Sequence, residues 1–409
     1  MVSRFVLSAA AAGLVLGASA ASAADSVKIG YIDPLSGAFA NVGDAGRKHF
    51  EFMAEKINAS GGLNGTPVEI VAFDNKINPK ESLIQLQKAM DDGIFIVTQG
   101  NGSSIASALI DGVDKHNQRY PDEPVLFLNY AAVDPAFTND RCSFWHFRFD
   151  ADADMKMTAL TDWLAERKDL QKVYIIGQDY SFGKAVAAAA TQMISEKSPE
   201  KEIVGDELHP LGKVKDFSPY IAKIKASGAD VVITGNWGTD MTLLVKAAAD
   251  AGLDVPILTY YGGGLGSPTA MGESAVDRVK QITEWHENVE GLGLEPMLDE
   301  FEARYDGLDF YYYRVKTLME MLQKAAEKAG STDPVALAKA LEGLEYETEA
   351  GKVYMRADNH QLIQPLYLST LSADVPRDVE GTGLGFKTDY RIEGPATETV
   401  TTCEMERPE

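Results

Sequence analysis

Residues 27–73 read VKIGYIDPLSGAFANVGDAGRKHFEFMAEKINASGGLNGTPVEIVAF. Three signals in this stretch decide the fold. The β-rich run from Val27 to Ile32 predicts a strand. Phe50, Met53, Ala54 and Ile57 fall at i, i+3, i+4 and i+7, which places them on one face of a helix. Gly61-Gly62 stops that helix, because glycine adopts the conformation that follows a last helical turn at no steric cost. Val68 to Phe73 is then a second strand. Strand, amphipathic helix and strand in that order predict a parallel pair joined by a right-handed crossover.

The rhythm continues outward from there. Pro79 opens a second helix at its first turn, where a missing N–H is harmless. Strands are expected at 94–98 and 125–129, with a helix from about 104 to 117 between them. After about Asp150 the pattern restarts. Strands at 173–176, 202–208, 231–234 and 257–261 alternate with helices around 160–164 and at 183–196, 217–226 and 241–251, with Gly228 and Gly252 ending the last two. The final third is less regular. It offers a strand at 279–285, helices at 297–305, 312–329 and 334–341, and β-like runs at 352–356 and 366–371. These are too few for a third domain, so they should complete the first two. The expected division is 25–149 plus 286–358 for an N-terminal lobe, and 150–285 plus 359–375 for a C-terminal lobe. Residues 376–409 are expected to form a polar surface tail. The chain would cross between lobes near Phe149, Trp285 and His360, and three crossings make a hinge.

The ends and the composition narrow the function. Arg4 gives a positive start, Phe5 to Leu16 is apolar, and Ala21-Ser22-Ala23-Ala24 is a small-residue cleavage pattern, so residues 1–24 read as a secretory signal peptide. A membrane anchor would need about 20 apolar residues without a cleavage site. The 409-residue chain has 61 acidic against 38 basic side chains, a formal charge of −23. A surface so acidic repels phosphate backbones, which argues against nucleic-acid binding. Cys142 and Cys403 are the two cysteines. In an oxidising compartment an even pair predicts a disulfide, here tying the C-terminal tail to the end of the first lobe.

Five segments resemble branched-chain amino acid-type periplasmic binding proteins, and they occur in that family's order. They are Gly30 to Gly37, Gly43 to Gly65, Ser103-Ser104, Asp179 to Gly183, and Asp216-Phe217-Ser218 with the Gly228-Ala-Asp-Val-Val-Ile run behind it. The resemblance implies the α/β type I periplasmic-binding-protein fold, with two Rossmann-like lobes, a three-stranded hinge and a ligand cleft between them. It also implies a periplasmic location and delivery of a small molecule to an ABC permease with ATPase subunits. No cofactor or metal is implied, and a monomer is expected.

In open α/β sheets ligands settle beyond the carboxyl ends of strands. Gly100-Asn101-Gly102-Ser103-Ser104 occupies that place after the third strand, where glycines let the backbone approach a ligand and a helix start offers N–H donors. In the family this segment grips the ligand carboxylate, so Gly102, Ser103 and Ser104 are candidates; the competing reading is that a serine only caps the helix. Tyr130-Ala131-Ala132-Val133 follows the fourth strand, and the resemblance places Ala131 and Val133 against the ligand, with Ala132 between them. From the second lobe, Tyr180, Phe182, Trp237 and Tyr261 stand at strand-to-helix turns and should wall the cleft, or else pack under neighbouring loops.

Two positions depart from the family. Many amino-acid binders carry a threonine where Val133 stands and a glutamate near Tyr261. A buried ammonium without an anionic partner is costly. The site therefore favours a small apolar or aromatic carboxylate. An amino acid is the competing ligand if Asp33, Asp134, Asp179 or Asp240 supplies the charge.

Other signals fail their motifs. Gly262 to Gly266 lacks the spacing of a dinucleotide fingerprint and reads as a flexible loop. The six histidines show no zinc spacing, and His286 is read as a hinge-surface residue. Phe310 to Tyr313 reads as core packing. No hydrolase elbow is present, so an enzyme is not expected. An exported ligand-sensing receptor of the same fold is the alternative to an importer component.

Overall fold

The computed structural model describes residues 26–408; the expected signal peptide lies outside the described residues. β1 (Val27–Asp33) and β2 (Val68–Asp74) pair in parallel, Val27 opposite Val68 through Asp33 opposite Asp74. The helix between them, α1 (Ala40–Ala59), buries Phe50, Met53, Ala54 and Ile57 as the spacing requires. Phe50, Met53 and Ile57 each contribute roughly 1.5–3 kcal/mol when removed from water. α2 (Pro79–Asp91), β3 (Ile96–Gln99), α3 (Ser103–Arg119), β4 (Leu126–Asn129) and β5 (His146–Arg148) complete the first sheet's neighbourhood. Asn78 caps α2, its side chain accepting from the Lys80 and Glu81 N–H groups at 2.9 and 3.2 Å. The sheet order is β2-β1-β3-β4-β5, all parallel.

The second unit comprises α4 (Ala153–Glu166), β6 (Lys172–Gln178), α5 (Ser181–Lys197), β7 (Glu202–His209), α6 (Ser218–Ser227), β8 (Val231–Thr234), α7 (Gly238–Asp250), β9 (Ile257–Thr259), α8 (Ser267–Met271) and β10 (Val279–Thr283). Its parallel core runs β7-β6-β8-β9-β10. Counted from its own first strand, that is the same order as in the first sheet. Each sheet therefore reverses direction between its first and third strands, and ligand sites form at such reversals.

The last third returns to the first unit as α9 (Glu295–Arg304), α10 (Tyr313–Ala329), α11 (Pro334–Leu341) and a small antiparallel sheet of β11 (Glu345–Thr348), β12 (Gly351–Met355) and β13 (Leu362–Ile363). Residues of α9, α10 and α11 share one buried cluster with Ile29, Phe50 and Leu128. β14 (Leu366–Ser372) then joins the second sheet antiparallel to β10. No helix among the described residues is long and apolar enough to cross a membrane.

Two expectations need correcting. His360 is not at the crossing: it stacks on Phe147 at 3.9 Å and its carbonyl accepts from the Arg148 N–H at 3.0 Å, so it stays with the first unit. The chain changes sheets between β13 and β14, and also between β5 and α4 and after β10. Residues 376–409 are not merely a surface tail. β15 (Gly385–Ile392) pairs with β14 along its whole length and forms the sheet's outer edge. An edge strand buries little, here chiefly Gly385 and Phe386, and its exposed Lys387, Asp389 and Arg391 are the charges that protect a free edge. That polarity disguised it.

Beyond β15 the chain crosses back a fourth time. Thr401 Oγ1 donates to the Thr138 carbonyl at 2.7 Å, and Cys403 forms the expected disulfide with Cys142, their Cα atoms 5.7 Å apart. Closing a loop of 261 residues stabilises on the order of 5 kcal/mol in the chain-entropy model.

Candidate ligand-binding cleft

The carboxyl ends of both sheets face one another across a chamber with about 530 Å³ of empty space. On the first unit's side, the turn after β3 contributes Gly100, Asn101, Gly102 and Ser103, and the turn after β4 contributes Ala131, Ala132 and Val133. Facing them are Tyr180 and Phe182 after β6, Trp237 and Gly238 after β8, and Tyr261, Gly264 and Leu265 after β9. The structure thus brings nine of the ten sequence candidates into one lining. The tenth, Ser104, lies outside the lining and is only half-buried.

Ser103 is not a cap. The N-cap of α3 is Gly102, whose φ of 98° suits glycine, and no side chain caps this helix. The Gly102 carbonyl accepts from the Ile105 and Ala106 N–H groups at 3.0 and 3.1 Å. Among the described residues, the Ser103 hydroxyl has no protein partner, and it lines the chamber. Two of the neighbouring amides are already used. Asp33 accepts from the Gly100 and Asn101 N–H groups at 3.2 and 3.0 Å and from the Tyr130 hydroxyl at 2.8 Å. Burial pushes the Asp33 carboxyl up to about 6 even so. What remains for a guest at this end is the Ser103 hydroxyl together with the first N–H groups of α3, at the positive end of the helix.

The opposite wall is aromatic. Trp237, 7% exposed, donates its Nε1–H to the Tyr180 hydroxyl at 2.7 Å, and Phe39 from the first unit packs on it with ring centroids 4.6 Å apart. That contact, together with a 2.5 Å bond from Thr239 Oγ1 to the Ala38 carbonyl, joins the two units across the chamber. Burial raises the Tyr180 and Tyr261 hydroxyls above the ordinary range, so both remain neutral hydrogen-bonding groups. Tyr260 turns away and donates to the Ala153 carbonyl at 2.6 Å.

Among the described residues no carboxylate lines this chamber. Asp33 is committed as above. Asp134 accepts from the Ala136 N–H, Asp179 pairs with Lys184 at 3.1 Å, and Asp240 accepts from Gln178 and Gly212. None of the four aspartates named as possible counter-charges reaches the lining.

Sequence reasoning missed Val42, Tyr312 and Arg314 in the wall. The Phe310 to Tyr313 run is core as expected at Phe310 and Tyr313, but Tyr312 faces the chamber. Arg314 belongs to a buried charge cluster. Its Nη1 donates to Glu284 Oε1 at 2.7 Å and lies 3.8 Å from Asp150 Oδ2, while Asp150 pairs with Lys156 at 2.7 Å. The signal for Arg314 was present: it is a charged residue among the apolar side chains that α10 buries. His286 is buried at 6% exposure, bonded to Thr388 Oγ1 at 2.8 Å, and so is not a surface group.

Residues 26–376 match a family model described as periplasmic binding protein. The chain is 31% identical over 414 residues to a Leu/Ile/Val-binding protein homolog 4 of Brucella abortus, covering 98% of this chain and 97% of the relative. It is 28% identical over 355 residues to a leucine-, isoleucine-, valine-, threonine- and alanine-binding protein of Pseudomonas aeruginosa, covering 86% and 91%. The closed crystal structure of a protein of that same description from Brucella ovis superposes with a TM-score of 0.84 at 28% identity, covering 94% and 100%.

Proposed function

The chain belongs to the periplasmic binding protein family, and from that premise we propose that it captures a small carboxylate with a flat or apolar body and presents it to an ABC importer. In this reading it is exported by residues 1–24, works in the periplasm as a monomer, and hands its ligand unaltered to a permease served by ATPase subunits. The lobes that close are 25–149 plus 286–363 and 150–285 plus 364–392, a division supported by the two sheets. Gly102, Ser103, Ala131, Ala132 and Val133 hold one side of the ligand, and Tyr180, Phe182, Trp237 and Tyr261 the other.

The observation that carries the reading is the polarity of the first chamber: a free serine hydroxyl at a helix start faces an aromatic wall, with no carboxylate in the lining. A carboxylate is served at the first end, a ring or alkyl body at the second, and an α-ammonium nowhere. Ligand bridging both walls favours the closed arrangement by as much as it binds that arrangement more tightly. Calorimetric titration with benzoate, phenylacetate, benzamide and leucine tests this. The acids should bind and benzamide should not; tight binding of leucine with none of benzoate would overturn the ligand class.

A second reading takes the branched-chain amino acids in the relatives' names as the ligand class. One observation favours it: Glu284 is the partner of Arg314, which lines the chamber, and Glu284 Oε2 is without a partner. A shift of Arg314 would bring that carboxylate toward an ammonium.

A further inference from the structure

Tyr261, Tyr312 and Arg314 form a partition, and behind it lies a second chamber between the lobes with about 550 Å³ of empty space. Its lining has the opposite chemistry. Glu284, Glu287 and Asp309 all contribute carboxylates, with Glu284 only 2% and Asp309 only 6% exposed. Glu284 gives one oxygen to Arg314, but its Oε2 is buried and unpartnered. Glu287 accepts from the Phe310 N–H at 3.1 Å, and Asp309 from the Glu380 N–H at 2.8 Å. Among the described residues Arg314 is the one cationic side chain in the lining, and it serves the first chamber too. Arg377 touches Glu287 at 3.3 Å from outside the lining, and Asp299 and Glu302 already engage it. His286 stays neutral, since burial pushes it down to about 4.

The negative charge is therefore in excess, and it is framed by the rings of Trp285, Phe310 and Tyr311. Carboxylates beside aromatic faces suit a cation that carries carbon, because the ring quadrupole and the acids attract the same charge. We propose that this chamber is a second binding subsite, which takes an organic ammonium group against Glu284 and Asp309 and packs its carbon skeleton on the surrounding rings. The proposal goes beyond the carboxylate reading of the first chamber. Burial first and neighbouring acids second push Glu287 up to about 7 and Asp309 up to about 6, a cost of holding charge there that an incoming cation relieves. A bare divalent ion fits less well. Glu287, Glu302 and Asp309 bring one oxygen each within 4.8 Å of one another, but the Arg377 guanidinium already contacts two of the three.

Titration calorimetry on the full mature chain at pH 8 tests the subsite, with benzylammonium as the probe and benzyl alcohol as its neutral isostere. Benzylammonium should bind one-to-one at least tenfold tighter than the alcohol, should not be displaced by saturating benzoate, and should lose that advantage in Asp309→Asn. Glu287→Gln repeats the measurement if Asp309→Asn fails to fold, and the wild-type comparison of ammonium with alcohol decides without either variant. Equal affinities, displacement by benzoate, or the same saturable heat from calcium chloride with competition against benzylammonium would overturn the proposal. Absence of benzoate binding would count against the first chamber's ligand alone and leave the ammonium–alcohol comparison intact.

Discussion

On one face of the Tyr261–Tyr312–Arg314 partition, the lining carries Ser103 and a set of aromatic rings but no carboxylate; on the other face, three carboxylates stand in a lining of similar size. The two chambers share a wall and come from different parts of the architecture. The first is made by turns that follow β3, β4, β6, β8 and β9, where helices begin and their N-terminal dipoles favour anions. The second is made largely by the crossing segments around 284–287 and 309–312, joined by Val379 and Phe386 from the C-terminal region. Topology thus dictates one chamber's polarity, whereas the other's depends on which side chains the crossings happen to carry.

Removing the shared wall should have the largest effect. Arg314→Met strands Glu284 without its buried partner, while Asp150 keeps Lys156, and losing one member of such a pair costs about 3–5 kcal/mol. Urea unfolding should show that loss; a change under about 1 kcal/mol would mean the cluster contributes little and the partition is not electrostatic. Next is Trp237→Ala, which should weaken benzoate by about 100-fold, near 3 kcal/mol by the tenfold-per-1.4 rule, while leaving benzylammonium within about twofold. Parallel losses would show that the chambers are one site. Ser103→Ala should weaken benzoate by roughly 1–3 kcal/mol, and an unchanged dissociation constant removes this hydroxyl from the site.

The pH dependence separates the buried acids from the buried histidines by sign. Glu287 and Asp309 are raised to about 7 and about 6 by burial, above their unfolded values, so their contribution to stability is present at low pH and disappears as pH rises through 6 to 7. His49 and His286 are lowered to about 3 and about 4 by burial; their contribution is present above about 6.5 and declines as pH falls toward those values. Scanning calorimetry of Glu287→Gln should therefore flatten the alkaline limb of the melting curve and spare the acid limb. A variant that shifts the acid limb instead would place the excess charge elsewhere. Smallest of all, Ser104→Ala should leave benzoate affinity within about twofold, since Ser104 lies outside the lining.

The first chamber was readable because its residues sit where a strand gives way to a helix, and strand ends announce themselves in a period change. Ser103, Val133 and Trp237 were found that way. Tyr312 and Arg314 were not: Tyr312 lies inside the Phe310 to Tyr313 run that reads as core packing, and Arg314 follows that run at the start of a helix whose buried side chains are mostly apolar. β15 escaped because an edge strand needs only one apolar end, and Lys387, Asp389 and Arg391 made the segment look like loop. The second chamber's one sequence signature was His286 flanked by Glu284 and Glu287. Glu284, Asp309 and Phe386 are distant in the chain, and only the folded crossings bring them together.

The fourth crossing has a mechanical consequence. Between Ile392 and Cys403 the chain spans no more than about 35–40 Å when drawn taut, at roughly 3.3–3.6 Å per residue. One end is stitched into the outer strand of the second sheet, and the other is bolted to Cys142 on the first unit. That run is a leash whose length caps how widely the jaws can gape, set by covalent chemistry and independent of whatever the cleft holds.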